Sequence, residues 1–326
     1  MPKLSVAVER FPIAGKFVIS RGAKTEAVVV VAAIEEAGCR GRGECVPYAR
    51  YGETIESVTR QIESVRARIE AGVDCAGLQM LLAPGAARNA LDCALWDLAA
   101  KRRGVPAHEL AGLAPPAPVT TAFTISVGAP AEMAAAAAKA RERPLLKIKL
   151  AGEGDAARIS AVRAAAPDAT LIVDANEAWT PADLDRHLAA CAATGVVLVE
   201  QPLPAGRDAA LARTERIIPI CADESVHARS ELDELRERYD AINVKLDKAG
   251  GLTEALAMVE MAEKLGFGLV AGCMVATSLA MAPALLIAAR ADFVDLDGPL
   301  LLARDRPEGL VYEGSIIRPA SPALWG

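Results

Sequence analysis

From Val119 onward, short β-rich segments alternate with helical stretches until eight of them have passed: Val119–Thr124, Leu145–Leu150, Thr170–Asp174, Val196–Glu200, Ile218–Ala222, Ala241–Lys245, Gly268–Gly272 and Phe293–Asp297. The stretches between them, such as Gly154–Ala166, Pro181–Thr194 and Leu252–Leu265, have the length that a crossover between parallel strands needs. Eight such units in about 180 residues predict a compact (β/α)8-like barrel, with its functional groups at the carboxyl ends of the strands. Roughly the first hundred residues follow another plan. Val28–Ile34 and a segment through Arg42–Glu44 read as an antiparallel pair, with Glu36, Gly38 and Gly41 marking turns, and helical patterns follow over Glu53–Ala71 and Pro84–Arg103. That is an α+β appendage.

The chain of 326 residues is 52% hydrophobic, enough for a large core. Its net charge of -6 comes from interspersed acids and bases, with no basic stripe to neutralise a phosphate backbone, so nucleic acid is excluded as a partner. The longest apolar runs, Ala27–Ile34 and Leu279–Ala289, are too short to span a bilayer, and Met1–Arg10 lacks a basic-then-apolar leader pattern. We expect a cytoplasmic protein without a membrane partner. Seven scattered cysteines without a CxxC pair argue against a disulfide framework and for reduced thiols. The three histidines, His108, His187 and His227, read as surface residues rather than bases.

Charge collects at the predicted strand ends. Residues two apart on a barrel strand point the same way, so Lys147 with Lys149, and Asp295 with Asp297, each project as a pair into one mouth. Asp174, Glu200 and Asp223 close three successive strands and offer a hard oxygen site suited to Mg²⁺. Lys149 and Lys245 stand on opposite walls, with the metal strands between them. A substrate carboxylate on the metal would place its α-carbon between the two amines. One lysine then removes the α-proton and the other returns it on the opposite face, while the metal stabilises the enediolate. An ordinary lysine is a poor base at neutral pH, and Lys147 supplies a nearby cation that disfavours a second ammonium at Lys149.

These residues resemble the enolase superfamily, in its muconate-lactonising subgroup, and within it the L-Ala-D/L-Glu (dipeptide) epimerases of bacterial murein-peptide metabolism. The resemblance spans nearly the whole chain: Gly43–Tyr48, Gly85–Leu98 (GAARNALDCALWDL), Lys147-Ile148-Lys149, Asp174–Glu177, Glu200–Pro204, Ala222–Ser225, Asn243–Gly251 (NVKLDKAGG) and Asp295–Pro299 (DLDGP). It implies a modified TIM barrel, (β/α)7β, over residues 113–304, and an α+β capping domain formed by residues 1–112 with the tail 305–326. It implies metal ligands Asp174, Glu200 and Asp223, acid/base lysines Lys149 and Lys245 with Lys147 tuning the first, and, as supporting partners, Asn176 on the same face as Asp174 and Asp247 on the same face as Lys245.

The resemblance also implies substrate contacts. Asp295 and Asp297 would receive the free ammonium of a dipeptide, two carboxylates being right for a cation. Arg21, with Arg50 and Lys24 as rivals, would pair with an acidic side chain of the substrate. Thr124 closes strand one as a further substrate contact, and its neighbour Phe123 sits where it would narrow or line the pocket. The expected substrate is L-Ala-D-Glu or its L,L epimer. The alternatives are an N-acylamino acid racemase or o-succinylbenzoate synthase of the same superfamily, which need no ammonium site, and a catalytically silent metal-binding protein. A homo-oligomer is compatible with a chain of this kind.

Overall fold

A computed structural model describes all 326 residues, Met1–Gly326. Three antiparallel strands, β1 (Lys3–Ile19), β2 (Gly22–Glu36) and β3 (Cys39–Cys45), open the chain. The pairing of β2 with β3 matches the predicted pair, but β1 was not anticipated. It is an edge strand in which only Leu4 and Ile13 are buried, so the alternation that marks a half-buried strand is weak, and a register shift between Pro12 and Phe17 breaks it further. The helix Ala86–Arg103 packs against this sheet over a core of its own that includes Val30, Ile34, Ile62 and Leu91. The stretch predicted as one helix over Glu53–Ala71 is interrupted at Val65, giving Ile55–Ser64 and Arg66–Glu70.

The predicted first barrel strand splits in two. β4 (Val119–Thr120) joins a small antiparallel sheet, and only β5 (Phe123–Ile125) enters the barrel. The wall continues in order through β6 (Leu145–Lys149), β7 (Thr170–Asp174), β8 (Val196–Glu200), β9 (Ile220–Ala222), β10 (Ala241–Lys245), β11 (Gly268–Gly272) and β12 (Phe293–Asp295), every neighbour parallel. A parallel bridge from Thr121 to Val294 closes the ring, helped by Leu296 N–H donating to Thr121 Oγ1 at 2.9 Å.

Along most of the strands the inward register starts apolar and ends charged. Leu145, Ile172, Leu198, Cys221, Ala241 and Val270 plug the amino-terminal end of the barrel. Two to four residues later the same faces carry Lys147, Lys149, Asp174, Glu200, Asp223 and Lys245. The fold thus seals one end with hydrophobic side chains and concentrates charge at the other.

The appendage is fixed to the barrel by polar contacts across their boundary. Arg88 donates to the carbonyls of Ala249 at 2.7 Å and Gly250 at 3.0 Å, while Asp92 accepts from Thr253 N–H at 2.9 Å and so caps the helix Leu252–Leu265 from the other unit. That approach needs glycine at 251: φ is +114°, and a Cβ there would lie 2.4 Å from Asp92 Cβ. The tail serves both units. β14 (Ile316–Ile317) pairs with β4 on one side and with β13 (Tyr312–Glu313) on the other, whereas Trp325 Nε1 donates to Cys93 O and Gly326 N–H to Asp97.

His187 is not at the surface. It lies buried and stacked on Trp179, with ring centroids 4.6 Å apart, because its helix turns that face toward the barrel. All seven cysteines are free, and no helix is long and apolar enough to cross a membrane.

Candidate active site

Asp174, Glu200 and Asp223 are buried, and one oxygen from each lies within 4.8 Å of the others. Lateral register explains the cluster: Lys149 pairs with Asp174, and Asp174 with Glu200, so the wall sets these groups side by side. Lys149 Nζ is 2.6 Å from Asp174 Oδ2, and Lys245 Nζ is 2.6 Å from Asp223 Oδ2. β6 and β10 are four strands apart in a ring of eight, so the two amines flank the carboxylates from opposite walls. Burial opposes the charge on Asp174, yet Lys149 and Lys147 outweigh it and hold the carboxyl at about 2. At Glu200, burial and the Asp174 charge prevail and push it up to about 7.

Lys147 is bound to carboxylates of the cluster. Its Nζ lies 2.6 Å from Glu200, 2.7 Å from Asp295 and 3.6 Å from Asp174, so this fully buried cation serves three carboxylates. Lys248 has a parallel role that was missed from sequence: it donates to Asp223 Oδ1 at 2.6 Å, to the Asp223 carbonyl, and to Asn243 O. The chain turns directly from β10 into the short helix Leu246–Ala249, which raises Lys248 above the strand end; Gly250 at φ +78° ends that helix. The same turn breaks the two-residue period, so Asp247 does not share the face of Lys245. Its carboxylate instead accepts from Val46 N–H and Asn89, both at 2.9 Å, in the appendage.

The residues that follow the carboxylates hold them in place. Asn176 donates to both oxygens of Asp174, through its backbone N–H at 2.8 Å and its side chain at 3.0 Å. Gln201 accepts from the N–H groups of Asp223 and Ser225 and donates to Leu203 O, Ser225 and Tyr239. Asn176, Glu177 and Gln201 all have positive φ, at 45°, 67° and 37°, which marks backbone strain gathered at this end of the barrel.

A cavity of about 960 Å³ opens over these groups, lined by both catalytic-end lysines, by Thr124, Asp295 and Asp297, and by loops of the appendage. Thr124 N–H donates to Asp297 Oδ2 at 2.7 Å. Asp295 gives one oxygen to Lys147 and keeps the other buried without a partner. Burial and the neighbouring Asp295 push Asp297 up to about 7. Phe123 does not line the cavity; it lies under the Arg143 guanidinium on the outer face, 4.2 Å from ring centroid to Cζ. Arg21 is engaged within the protein, by Glu224 at 2.6 Å and Glu177 at 3.1 Å, and Arg50 is engaged by Glu177 at 2.7 Å. Lys24 differs from both: its ammonium lines the cavity 5.1 Å over the Tyr48 ring, with burial and Arg21 lowering its pKa and no carboxylate opposing them.

Residues 131–314 match the family described as enolase C-terminal domain-like, and residues 2–112 match the mandelate racemase / muconate lactonizing enzyme N-terminal domain. The chain belongs to the enolase superfamily. It is an enzyme of that superfamily, with the barrel and amino-terminal capping domain the resemblance implied. It is 49% identical to an L-Ala-D/L-Glu epimerase of Escherichia coli (strain K12), over 96% of this chain and 98% of the relative. It is 43% identical to an N-acetyl-D-glutamate racemase of Pseudoalteromonas sp, over 91% and 95%. A solved enolase family member from Agrobacterium tumefaciens with homology to dipeptide epimerases, holding sodium and L-Ala-L-Glu with an ordered loop, is 55% identical, covers all of both chains and superposes with a TM-score of 0.98. Within this superfamily member, the lysine–carboxylate layer was legible from strand-end spacing, whereas Lys248, Gln201 and the engagement of Arg21 depend on turns and loops past the strand ends that no periodicity describes.

Proposed function

We propose that the protein is a Mg²⁺-dependent dipeptide epimerase that inverts the α-carbon of the Glu residue in L-Ala-D/L-Glu, within murein-peptide metabolism. The observation that carries this reading is the pair of lysines, Lys149 and Lys245, on opposite walls of one cavity, each 2.6 Å from a different carboxylate of the cluster. Three buried carboxylates without thiolate or imidazole form a donor set that fits Mg²⁺. Asp174, Glu200 and Asp223 would hold it, and bound there it would supply Lewis-acid stabilisation of the charge that develops on the substrate carboxylate.

The chain's own residues do the rest. Lys149 or Lys245 takes the α-proton from one face, and the other returns a proton to the opposite face, which inverts the centre. Lys147 and Lys248, each buried against the cluster, offset its negative charge and fix the carboxylates' orientation. Asp297 and the unpartnered oxygen of Asp295 are the acceptors for the dipeptide ammonium, with Thr124 fixing Asp297. For the distal carboxylate of Glu, Lys24 replaces Arg21 in our reading, because Lys24 lacks an anionic partner inside the cavity.

A second reading, racemisation of an N-acylated glutamate, draws support from the engagement of Asp295 by Lys147 and from the 43% identical racemase. One competition decides between them. With Mg²⁺, L-Ala-L-Glu should be converted to its D-Glu epimer far faster than N-acetyl-L-glutamate is racemised, as followed by chiral chromatography. The reverse order of rates would favour the N-acyl substrate.

A further inference from the structure

Arg21 occupies the turn between β1 and β2, on a loop of the capping domain that overhangs the barrel mouth. Its two terminal nitrogens make four bonds. Nη1 donates to Asn176 O at 3.0 Å and Glu177 Oε2 at 3.1 Å; Nη2 donates to Tyr48 OH at 3.1 Å and Glu224 Oε1 at 2.6 Å. Ser20 Oγ adds a bond to the same Asn176 carbonyl at 2.9 Å. Arg50, from the next capping loop, grips Glu177 through Nε at 2.8 Å and Nη2 at 2.7 Å. A guanidinium so occupied keeps only its Nε–H free and cannot also take a substrate carboxylate in two-point fashion.

The barrel partners of Arg21 are the immediate neighbours of the cluster. Asn176, whose carbonyl Arg21 and Ser20 hold, is the residue that donates to both oxygens of Asp174. Asn176 and Glu177 have positive φ, a conformation that persists in non-glycine residues only when the surroundings impose it. Glu224, the other anchor, directly follows Asp223 and is buried to 3% exposure. Both connections therefore run from the capping loop to a carboxylate of the candidate metal site through a single residue.

We propose that Arg21 is a positioning residue that latches the capping loop to the barrel and thereby couples loop closure to the seating of Asp174 and Asp223. The inference rests on the reading of these carboxylates as Mg²⁺ ligands. Closing the loop stiffens the ligand set, and binding the cation to that set favours the closed loop; the two effects are equal in free energy because coupling is reciprocal. Arg21 then acts before any substrate contact is made, and substrate specificity lies with other cavity residues.

The test uses the full chain, first without substrate and then with dipeptides. Hydrogen–deuterium exchange over residues 15–26 and calorimetric titration with Mg²⁺ are compared among the wild type, Arg21→Ala and Glu177→Gln. The wild-type loop should exchange more slowly once Mg²⁺ is added. In both variants it should exchange rapidly with or without Mg²⁺, and Mg²⁺ affinity should fall about tenfold, the scale at which groups supporting a ligand act. Arg21→Lys, which keeps the charge but loses the fork, should not restore either property. Melting temperatures should stay close to the wild type. Wild-type Mg²⁺ affinity and loop protection in both variants would overturn the coupling alone. A wild type that binds no Mg²⁺ would bring down the metal assignment and the coupling together. Unchanged Mg²⁺ binding in Arg21→Ala, with loss of affinity only for dipeptides bearing an acidic second residue, would make Arg21 a substrate contact and refute the latch.

Discussion

Lys24 and Arg21 lie three positions apart at the tip of one hairpin and end in opposite states, one without an anionic partner and one engaged by two carboxylates. The sequence placed both near the pocket, but it cannot say which cation meets a carboxylate of the protein, because Glu177 and Glu224 sit in loops that follow distant strands. The same holds for Lys147. Its spacing from Lys149 was legible, but its three carboxylate partners on β7, β8 and β12 were not. Charge placement yields a direct prediction. Lys24→Ala should raise KM for L-Ala-L-Glu by at least about tenfold, the scale of a lost charge-assisted bond, and leave kcat/KM for L-Ala-L-Ala nearly unchanged. Steady-state kinetics on the two dipeptides checks this; equal losses on both would remove Lys24 from side-chain recognition.

At the scale of elements, the alternation of short β-rich segments with helical stretches carried most of the reading. Four barrel strands, β7, β8, β10 and β11, have the predicted limits, and the charged strand ends followed from them. Where the chain leaves regular structure, the inference stops. Asp247 was assigned the face of Lys245 as though the strand continued, but β10 ends at Lys245 and the helical turn carries Asp247 to Val46 and Asn89. That junction has a pH signature. Burial pushes Asp247 up to about 7, above its value of about 3.9 in an unfolded chain. A raised folded pKa stabilises the protein below the unfolded value, and that contribution is lost as pH rises through the folded one. Asp247→Asn keeps an acceptor for Val46 and Asn89 but carries no charge. It should therefore melt on the order of a few °C above the wild type at pH 8 and close to it at pH 4. Thermal melts at the two pH values test this, and an offset independent of pH would mean that Asp247 does not ionise in this range.

Across the whole molecule, neither unit makes the site alone. The barrel supplies the lysines and carboxylates, while the capping domain supplies Arg21, Lys24, Arg50 and Tyr51 around the cavity. The barrel was legible because eight repeating units overdetermine it. The capping sheet was half legible, since β2 and β3 bury a face while β1 lies at an edge with little buried surface. The contacts that join the units, such as Asp92 capping the helix Leu252–Leu265 and Arg88 holding the Ala249 and Gly250 carbonyls, were invisible because each pairs residues about 160 positions apart. The central claim is that the two walls of this assembled cavity carry one proton-transfer base each. It is tested most directly by following the Glu α-proton by NMR in D₂O with Mg²⁺, for Lys149→Ala and Lys245→Ala, starting from L-Ala-L-Glu and from L-Ala-D-Glu. Each variant should fail to epimerise yet exchange the α-proton of one epimer only, and the two variants should exchange opposite epimers. Epimerisation at the wild-type rate in either variant, or exchange of the same epimer by both, would contradict the two-base account.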